Sequence, residues 1–491
     1  MAGRLPSRPA PRPKSWVKYE LATCVTNRYT YPHATFRTPG SNCVWTHNGC
    51  QCNQVLALTH RHQVATPPMI ETIDFADIKA MIPKETLQPY SRAEVIACYS
   101  GLWRTKYQRA YNDYKDYGLQ NKHSYLSLFC KDDLEMGSPS KAPRAIQFRH
   151  PIFMLEQARF TKPVEKWFYN QRDEWNTRIV GKSDPFTIAR EIKNKAQCFQ
   201  DPVFLLLDAS KFDSCVDVKW LKYCTEIYRC LFGKRWSRKI NYLWSKTYVN
   251  RGFTRKGVQF KTWGTRMSGD MDTGLGNSII MWTMLKGFLR HAGVKGSILV
   301  NGDDSVVVIE RRNLNKCKDM SYFTRNGFNM KFEIAMDESE VEFCQARILD
   351  TDYGPTMARR PDRVMGRTSY RTKRVKASDT WAFINTLGKC ERAASWGVPI
   401  ASALATKMIQ AANTTRVVAL SPWLMEHYVN MQRWWKNGEP TISLQVRNDF
   451  ESIWGISVAE QLKIEQSIKV QPLVSPTRRQ IEEYNYFVHE A

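Results

Sequence analysis

Continuous apolar runs predict the buried strands in the middle of the chain. Residues 203–207 read Val-Phe-Leu-Leu-Leu, a run of strand length that predicts a strand buried on both faces. Two further runs flank Asn301-Gly302 and predict a hairpin, because both of these turn residues tolerate a positive φ. Apolar residues at helical spacing predict helices over about 216–231 and 275–289. The centre of the chain therefore alternates strands and helices.

The pattern on either side of this centre is more varied. It predicts helices from about Glu71 to Tyr117, a strand at Leu126–Cys130, and a mostly helical region towards Ala491. The basic and aromatic stretch 233–264 reads as hairpin-like pieces. Shorter elements are expected as a helix near 313–325, a strand around Lys331 and one strand over 341–349.

Acidic residues stand at the ends of the predicted central strands. Asp208 follows the 203–207 run, and Asp303 and Asp304 come at the tip of the hairpin. Buried charges are costly unless they are paired or bind a metal, and neighbouring carboxylates repel each other. A divalent cation is the natural counter-charge, although a solvated acidic turn is the plainer interpretation of Asp303-Asp304 alone.

The charge of the whole chain indicates a polyanionic partner. Its 491 residues include 72 Lys and Arg against 47 Asp and Glu, a formal net charge of +25. Such an excess favours nucleic acid or an anionic membrane surface. We expect no membrane-spanning segment and no secretory signal, because no apolar run is long enough and the first 15 residues are rich in Pro and Arg. The 13 scattered cysteines favour a reducing compartment.

Two basic clusters could meet that partner. Lys131, Lys141, Arg144 and Arg149 follow one another along an extended loop and strand. Such density is typical of a solvated face unless an anion is bound there. Further on, residues 359–376 hold eight Lys or Arg in eighteen positions, with Asp362 as the one acid.

A segment rich in Cys and His precedes the predicted helices. Its members are Cys24, His33, Cys43, His47, Cys50, Cys52, His60 and His62. Zinc takes such ligands, but the Cys-x-Cys and His-x-His spacings fit no common zinc finger. A loop-rich segment with free thiols is therefore favoured over a structural Zn²⁺ site.

The order of these features is that of a polymerase palm. If Asp208, Asp303 and Asp304 converge in one sheet, their oxygens suit Mg²⁺, or Mn²⁺ in its place. Two such ions activate an attacking hydroxyl and stabilise a leaving pyrophosphate, while Lys and Arg hold the triphosphate.

The motifs between about Lys131 and Leu349 resemble those of viral RNA-dependent RNA polymerases, most closely the tombusvirus family and its carmovirus-like relatives. The resemblance rests on the following segments, in order: Lys131 with Lys141-Ala142-Pro143-Arg144 (motif F), Asp208-x4-Asp213 (A), Ser268-Gly269 with Thr273-Gly274 and Gly276-Asn277 (B), Gly302-Asp303-Asp304 (C), 327–331 (D) and 342–345 (E).

The resemblance implies a role for each matching residue. Asp208 and Asp303 would hold both metals, with Asp304 and the carbonyl of Ala209 assisting, and Lys331 would be the general acid. The nucleotide would be bound by Lys131, Lys141, Arg144, Asp213, Ser268, Thr273 and Asn277, of which the last four would read the ribose 2′-hydroxyl. The product duplex would contact Arg359, Arg360, Arg363, Arg367, Arg371, Lys373 and Arg374.

The implied fold is α+β, a right hand whose antiparallel palm sheet is flanked by helices. A basic, Cys/His-containing extension would occupy 1–70, fingers 71–200 with 233–262, palm 201–232 with 263–350, and thumb 351–491. The expected reaction is RNA-templated RNA synthesis from NTPs for a positive-strand RNA virus, in the host cytoplasm at membrane-associated complexes with a membrane-anchored viral or host partner. A reverse transcriptase and a non-enzymatic basic RNA-binding protein remain the alternatives.

Overall fold

The computed structural model describes residues 15–18, 28–30, 32–34, 36, 44–136, 141–371, 375–418 and 439–471. The strands of the first half are β1 Ser15–Lys18, β2 Tyr29–Thr30, β3 His33–Ala34, β4 Val44–His47, β5 Leu126–Cys130, β6 Glu135–Met136, β7 Ala145–Phe148 and β8 Pro202–Ala209. Those of the second half are β9 Val249–Thr254, β10 Gln259–Trp263, β11 Gly296–Asn301, β12 Asp304–Glu310, β13 Met330–Ala335, β14 Glu342–Phe343, β15 Ala346–Thr351, β16 Gly354–Arg359 and β17 Tyr370–Arg371.

Helices connect and cover these strands. The helices before β8 are α1 Gln51–His62, α2 Ala76–Met81, α3 Arg92–Ala97, α4 Gly101–Tyr117, α5 Pro151–Tyr169 and α6 Pro185–Ala196. The helices after β8 are α7 Phe212–Cys215, α8 Val218–Phe232, α9 Lys234–Tyr248, α10 Thr273–Ala292, α11 Ser321–Arg325, α12 Pro361–Thr368, α13 Thr380–Ala394, α14 Ala401–Ala412, α15 Leu444–Trp454 and α16 Val458–Ser467. Among the described residues, no helix combines the length and the hydropathy needed to cross a bilayer.

The central sheet is antiparallel, with the strand order β11-β12-β8-β13. Strand β8 lies between two neighbours, which explains why its run of large apolar residues is buried. Leu205 and Leu207 face α8 and α10, whereas Phe204 faces the opposite layer, which contains α6 and β15. The predicted strand, hairpin and two helices are confirmed, as is the mixed class with an antiparallel sheet flanked by helices.

A second sheet, in the order β1-β10-β9-β5-β7, lies against α1. Strands β5 and β9 run parallel, and the other neighbours are antiparallel. Leu58 of α1 packs with Leu126 and Leu128 of β5, so the segment before residue 70 is part of this unit. The loop-rich interpretation of residues 44–62 was therefore wrong, because α1 buries an apolar face on the sheet.

Helices α12 to α15 contribute to a separate hydrophobic cluster near the end of the chain. Leu349 and Ala358 from β15 and β16 pack there with α13, α14 and α15. The N-terminal segment also reaches this region, since Phe36 is buried in the cluster and β3 pairs with β17.

Three local predictions were wrong. Residues 234–248 are helix α9, and only the part after them is the β9–β10 hairpin. Residues 341–349 form two paired strands, β14 and β15, which are joined by a turn in which Cys344 and Gln345 have φ values of 52° and 63°. The region near 313–325 is a 3₁₀ segment, Arg311–Cys317, followed by the short α11.

Candidate active site

Three strands bring Asp304, Asp208 and Lys331 into one row. In the pairing of β12 with β8, Asp304 lies opposite Asp208, and in the pairing of β13 with β8, Lys331 lies opposite Asp208. Side chains at paired positions project from the same face of a sheet. Lys331 Nζ lies 3.6 Å from Asp208 Oδ2, and both side chains are more than half exposed. Solvent screening makes such an exposed pair a weak source of stability.

Asp303 occupies the turn beside this row. Asn301 pairs with Asp304, so the two turn residues are Gly302 and Asp303 rather than the predicted Asn301 and Gly302. Gly302 has a φ of 68°, which suits glycine and explains the tight turn. The Gly302 amide donates to Ser278 Oγ at 2.8 Å, which ties the turn to the first part of α10. The hairpin prediction was right, but its turn is shifted by one residue.

Burial and neighbouring carboxylates raise the pKa values of Asp303 and Asp304. Burial, followed by the charges of Asp213 and Asp208, raises the pKa of Asp303, and Arg144 partly offsets this. Burial and the charges of Asp303 and Asp208 raise the pKa of Asp304 from 3.8 to about 6. Negative charge therefore accumulates at this end of the sheet, where a cation would relieve it.

The carboxylates fit a hard cation by their chemistry. Carboxylate oxygens are the ligands that Mg²⁺ prefers, and Mg²⁺ usually takes only one or two of them and completes its shell with water and phosphate. Among the described residues, no three His, Cys, Asp or Glu side chains form a ready-made metal-binding group. Asp208, Asp303 and Asp304 could supply carboxylate ligands to such an ion, and water and phosphate would have to supply the others. Ala209, the residue predicted to add a carbonyl ligand, ends β8 beside Met330.

Asp213 is the centre of a polar network next to the carboxylates. It accepts hydrogen bonds from Asn277 Nδ2 at 2.7 Å and from Ser268 Oγ at 2.8 Å. The guanidinium of Arg61, from the last turn of α1, lies 2.8 Å from Asp213 and also donates to Ser268. The structure thus brings together three of the four residues predicted to read a ribose hydroxyl.

The fourth, Thr273, has a different partner. Its hydroxyl donates to the carbonyls of Met267 and Asp270, at 2.7 and 2.9 Å, so it closes the loop that precedes α10. Asn277 lies inside α10 and not at its cap, and its Oδ1 accepts from Arg266 Nε at 3.2 Å. A side chain on Gly276 would collide with the Arg266 guanidinium, 2.2 Å from the position of a Cβ. A larger residue there would have to displace the buried Arg266 guanidinium, which is paired with Asp272.

Sequence comparison agrees with this geometry. The family profile described as viral RNA-dependent RNA polymerase matches residues 70–469. The chain belongs to this family. It is 30% identical over 408 residues to the RNA-directed RNA polymerase of Oat chlorotic stunt virus, an alignment covering 78% of this chain and 54% of that protein. It is 27% identical over 385 residues to the enzyme of Cymbidium ringspot virus, covering 76% and 46%.

The match to Groundnut rosette virus polymerase is 28% over 412 residues, which covers 80% of this chain and 47% of that protein. The chain spans about half the length of the curated relatives it matches. The resemblance to viral RNA-dependent RNA polymerases of the tombusvirus type is confirmed.

The three cations predicted to hold the triphosphate of a polymerase substrate are accessible. Lys131 and Arg144 both approach Asp133, at 2.9 and 3.6 Å, and Lys141 lies 4.0 Å from Glu135. Arg144 is 69% exposed and is close enough to Asp303 to affect its pKa. Their role towards the nucleotide stays a prediction.

Arg149 differs from its neighbours in the sequence. It is completely buried and makes two hydrogen bonds to Asp270, at 2.7 and 3.0 Å. It also donates to Asn250 and to the carbonyl of Ser124, both at 2.6 Å. Arg149 is therefore a structural anchor for the loop before α10, and its grouping with solvent-facing cations was wrong.

The predicted duplex-binding run is only partly open to solvent. Arg359 pairs with Glu391, and burial lowers the pKa of Arg371, whose guanidinium stacks over Phe383, to about 10. Arg360 pairs with Asp362 and Arg363 with Gln345, both in exposed positions. Burial also lowers the pKa of Arg367. Lys373 and Arg374 lie outside the described residues, and RNA binding by this run stays a prediction.

The described Cys and His residues of the N-terminal segment do not assemble into a zinc site. His47 Nε2 contacts the carbonyl of Lys141 at 3.0 Å, and His62 contacts Gln147 and Thr265. Burial lowers the pKa of His62 to about 3, so it is neutral at ordinary pH. Within the described part no metal-binding group occurs, and Cys24 and Cys43 lie outside it.

Arg61 is the site residue that sequence reasoning missed. It lies 152 positions from Asp213 along the chain and before the family motifs begin. A signal existed in the basic last turn of α1, which contains His60, Arg61 and His62. That signal became specific only when the fold placed this turn beside Asp213.

Proposed function

We propose that this protein synthesises RNA on an RNA template, using Asp208, Asp303 and Asp304 to hold two divalent cations. The observation that carries the proposal is the placement of Asp208, Asp303 and Asp304 at one end of the central sheet beside the Asp213 network, with the pKa values of Asp303 and Asp304 raised. When bound, the metals activate the attacking 3′-hydroxyl and stabilise the leaving pyrophosphate. The metals are proposed to be Mg²⁺, with Mn²⁺ as a substitute.

The chain's own residues position the substrates. Asp213, held by Arg61, Ser268 and Asn277, is aimed at the ribose of the incoming nucleotide. Arg144, Lys131 and Lys141 approach its triphosphate, and Lys331 supplies a proton to the departing pyrophosphate. Lys331 is suited to this because its ammonium already lies 3.6 Å from Asp208.

We further propose that the molecule is a right hand, with the central sheet as palm, the β1-β10-β9-β5-β7 sheet in the fingers and the C-terminal helices as thumb. The template is proposed to be a positive-strand viral genome, copied in the host cytoplasm with a membrane-anchored partner. Incorporation of NTPs on an RNA template, lost with EDTA, tests the activity. A preference for dNTPs would favour a reverse transcriptase, and RNA binding without synthesis would favour a non-enzymatic protein.

Asn277→Ala is expected to lower the NTP-over-dNTP preference by about ten- to a hundredfold, chiefly by slowing NTP use. Without the amide, Asp213 loses the partner that orients its carboxylate, and one lost hydrogen bond costs about 1–3 kcal/mol. Both rates should be measured on one RNA template. If Asn277 only supports the helix, the two rates will fall together and their ratio will hold.

Arg144→Ala is expected to raise the KM for NTPs by about tenfold, because a charge-assisted hydrogen bond contributes about 1.5–3 kcal/mol. RNA affinity should stay near the wild-type value. Arg360→Ala is the contrasting variant: Arg360 is also an exposed arginine paired with a nearby aspartate, but it lies in the predicted duplex-binding run, so its loss should weaken RNA binding and leave the KM unchanged. Loss of RNA affinity with an unchanged KM in the Arg144 variant would contradict the assignment.

Metal binding is expected to weaken as the pH falls through about 6. The raised pKa means that Asp304 binds its proton more tightly in the folded protein than in the unfolded chain. Ionising Asp304 therefore lowers the stability of the metal-free protein as the pH rises from about 4 through 6. A cation binds the ionised carboxylate, so it offsets this loss of stability only above that range. Stabilisation of the protein by Mg²⁺, measured by thermal unfolding, should be large above this range and small below it. Asp304→Asn should remove most of this pH dependence.

A further inference from the structure

The β9–β10 hairpin has one face that is exposed and rich in aromatic residues. Alternate residues of both strands project from it, and we call this set the outer face: Val249, Arg251, Phe253, Gln259, Lys261 and Trp263. Phe253 is 48% exposed and Trp263 is 38% exposed. The opposite face is packed, since a Cβ on Gly252 would lie 2.5 Å from the Phe260 ring. The exposed rings are therefore a property of one face and not of a poorly packed hairpin.

The outer face carries unbalanced positive charge. Arg251 and Lys261 are directly opposite each other in the pairing of β9 with β10. Like charges in this relation destabilise a sheet unless an anion lies between them. Within the described part of the chain, neither residue forms an ion pair with a carboxylate. Lys261 instead lies 4.4 Å from the centroid of the Trp263 ring. An anion bound from outside would offset the repulsion between Arg251 and Lys261.

A cleft of about 390 Å³ adjoins the outer face. It is lined in part by Tyr125, Lys246, Val249 and Arg251, so it shares two residues with the face. Its volume lies within the range of small-molecule binding sites, which is enough for one nucleotide unit. Tyr125 is 43% exposed and adds a third accessible ring. The aromatic and basic surface therefore continues from a flat sheet into a concave site.

Strand β1 forms one edge of the same sheet and follows the basic N-terminal residues in the sequence. Strand β1 pairs with β10, and Ser15 lies opposite Thr262, next to Trp263. The residues before β1 lie outside the described part, but their sequence contains Arg4, Arg8, Arg12 and Lys14. These four cations precede β1, the strand that borders β10, in the sequence.

We propose that the outer face binds single-stranded RNA, with bases stacked on Phe253 and Trp263 and phosphates held by Arg251 and Lys261. Aromatic rings beside cations are the general means of binding unpaired strands, because every base has a face that can stack. A duplex keeps its bases stacked internally and cannot use the rings. Within the described residues, none of these four side chains forms a hydrogen bond or ion pair with Asp208, Asp213, Asp303 or Asp304. The four side chains belong to the β1-β10-β9-β5-β7 sheet, whereas Asp208 and Asp304 belong to the central sheet. The choice of RNA as ligand rests on the proposed function.

The test uses the full chain and a short, unstructured oligouridine. Phe253→Ala and Trp263→Ala should each weaken its binding by about five- to a hundredfold, while Phe253→Tyr and Trp263→Phe, which keep a ring, should bind as the wild type does. Arg251→Ala should reduce the slope of log affinity against log salt by about 0.7. Photo-cross-linking with a bromouridine-substituted strand should label peptides of β9 or β10.

The catalytic residues supply the control. Asp303→Asn should lose synthesis but keep oligouridine binding and cross-links, whereas Phe253→Ala should still extend a short preformed primer–template. The proposal is overturned if the Ala variants bind as the wild type does, if Phe253→Tyr loses as much affinity as Phe253→Ala, or if cross-links avoid this hairpin. Because synthesis and strand binding are measured separately, failure here is distinguishable from failure of the polymerase proposal.

Discussion

Asp303→Asn is expected to lower nucleotide incorporation by about a thousandfold and to leave the fold intact. The amide has nearly the same shape as the carboxylate but lacks its charge, and loss of one ligand from a two-metal centre removes several kcal/mol of transition-state stabilisation. The folded protein should even be slightly more stable without metal, because burial and the nearby charges of Asp213 and Asp208 disfavour ionised Asp303. Single-turnover incorporation on a primer–template measures the first effect and thermal unfolding the second.

The matched control is Asp116→Asn. Asp116 is an exposed residue of α4, far from the central strands in sequence, and the same substitution there should change neither rate nor stability. Incorporation by the Asp303 variant at a rate near that of the control would refute the role of the turn carboxylate.

Arg149→Met is expected to destabilise the protein by about 3–5 kcal/mol, since removal of one partner leaves the other as an uncompensated buried charge. Burial already raises the pKa of Asp270, and Arg149 offsets part of that effect. Without Arg149, Asp270 should take up a proton, and the loop before α10 should lose its attachment to β9 and to residue 124. Urea unfolding followed by tryptophan fluorescence measures the loss.

A second substitution separates the buried charge from the lost packing. The double variant Arg149→Met with Asp270→Asn has no unpaired charge, so it should recover part of the stability that the single variant loses. If the double variant is less stable than the wild type by the sum of the losses in the two single variants, Arg149→Met and Asp270→Asn, the two residues act independently and the proposed coupling is wrong.

The positions of the three proposed metal-binding carboxylates could be predicted because local sequence encodes their setting. The apolar run before Asp208 requires a buried strand, and the short runs around Asp303 require a hairpin, so the positions of these acids follow from the strands. The register shift at Gly302-Asp303 could not be predicted in the same way. It depends on Gly302 donating to Ser278, a contact between elements that no local pattern specifies.

Arg61 and Arg149 show the limit of the same reasoning. Each is an arginine in a basic stretch, and by composition both belong on a solvated surface. Their environments are set by Asp213 and Asp270, which lie 152 and 121 positions away along the chain. The turn at Cys344-Gln345 is a similar case, since neither residue favours a positive φ, and Cys344 is held by contact with Asn301 at 3.3 Å. Long-range partners decide these three features.

The most direct measurement is addition of a single nucleotide on four RNA templates that differ only in the next unpaired base. The purified protein, supplied with Mg²⁺ or Mn²⁺, should add the complementary NTP on each template, use the matching dNTP poorly, and stop when EDTA is present. The Asp303→Asn variant should add the complementary NTP about a thousandfold more slowly. Addition that ignores the template base, or equal addition by wild type and the Asp303 variant, would contradict RNA-templated synthesis at these carboxylates.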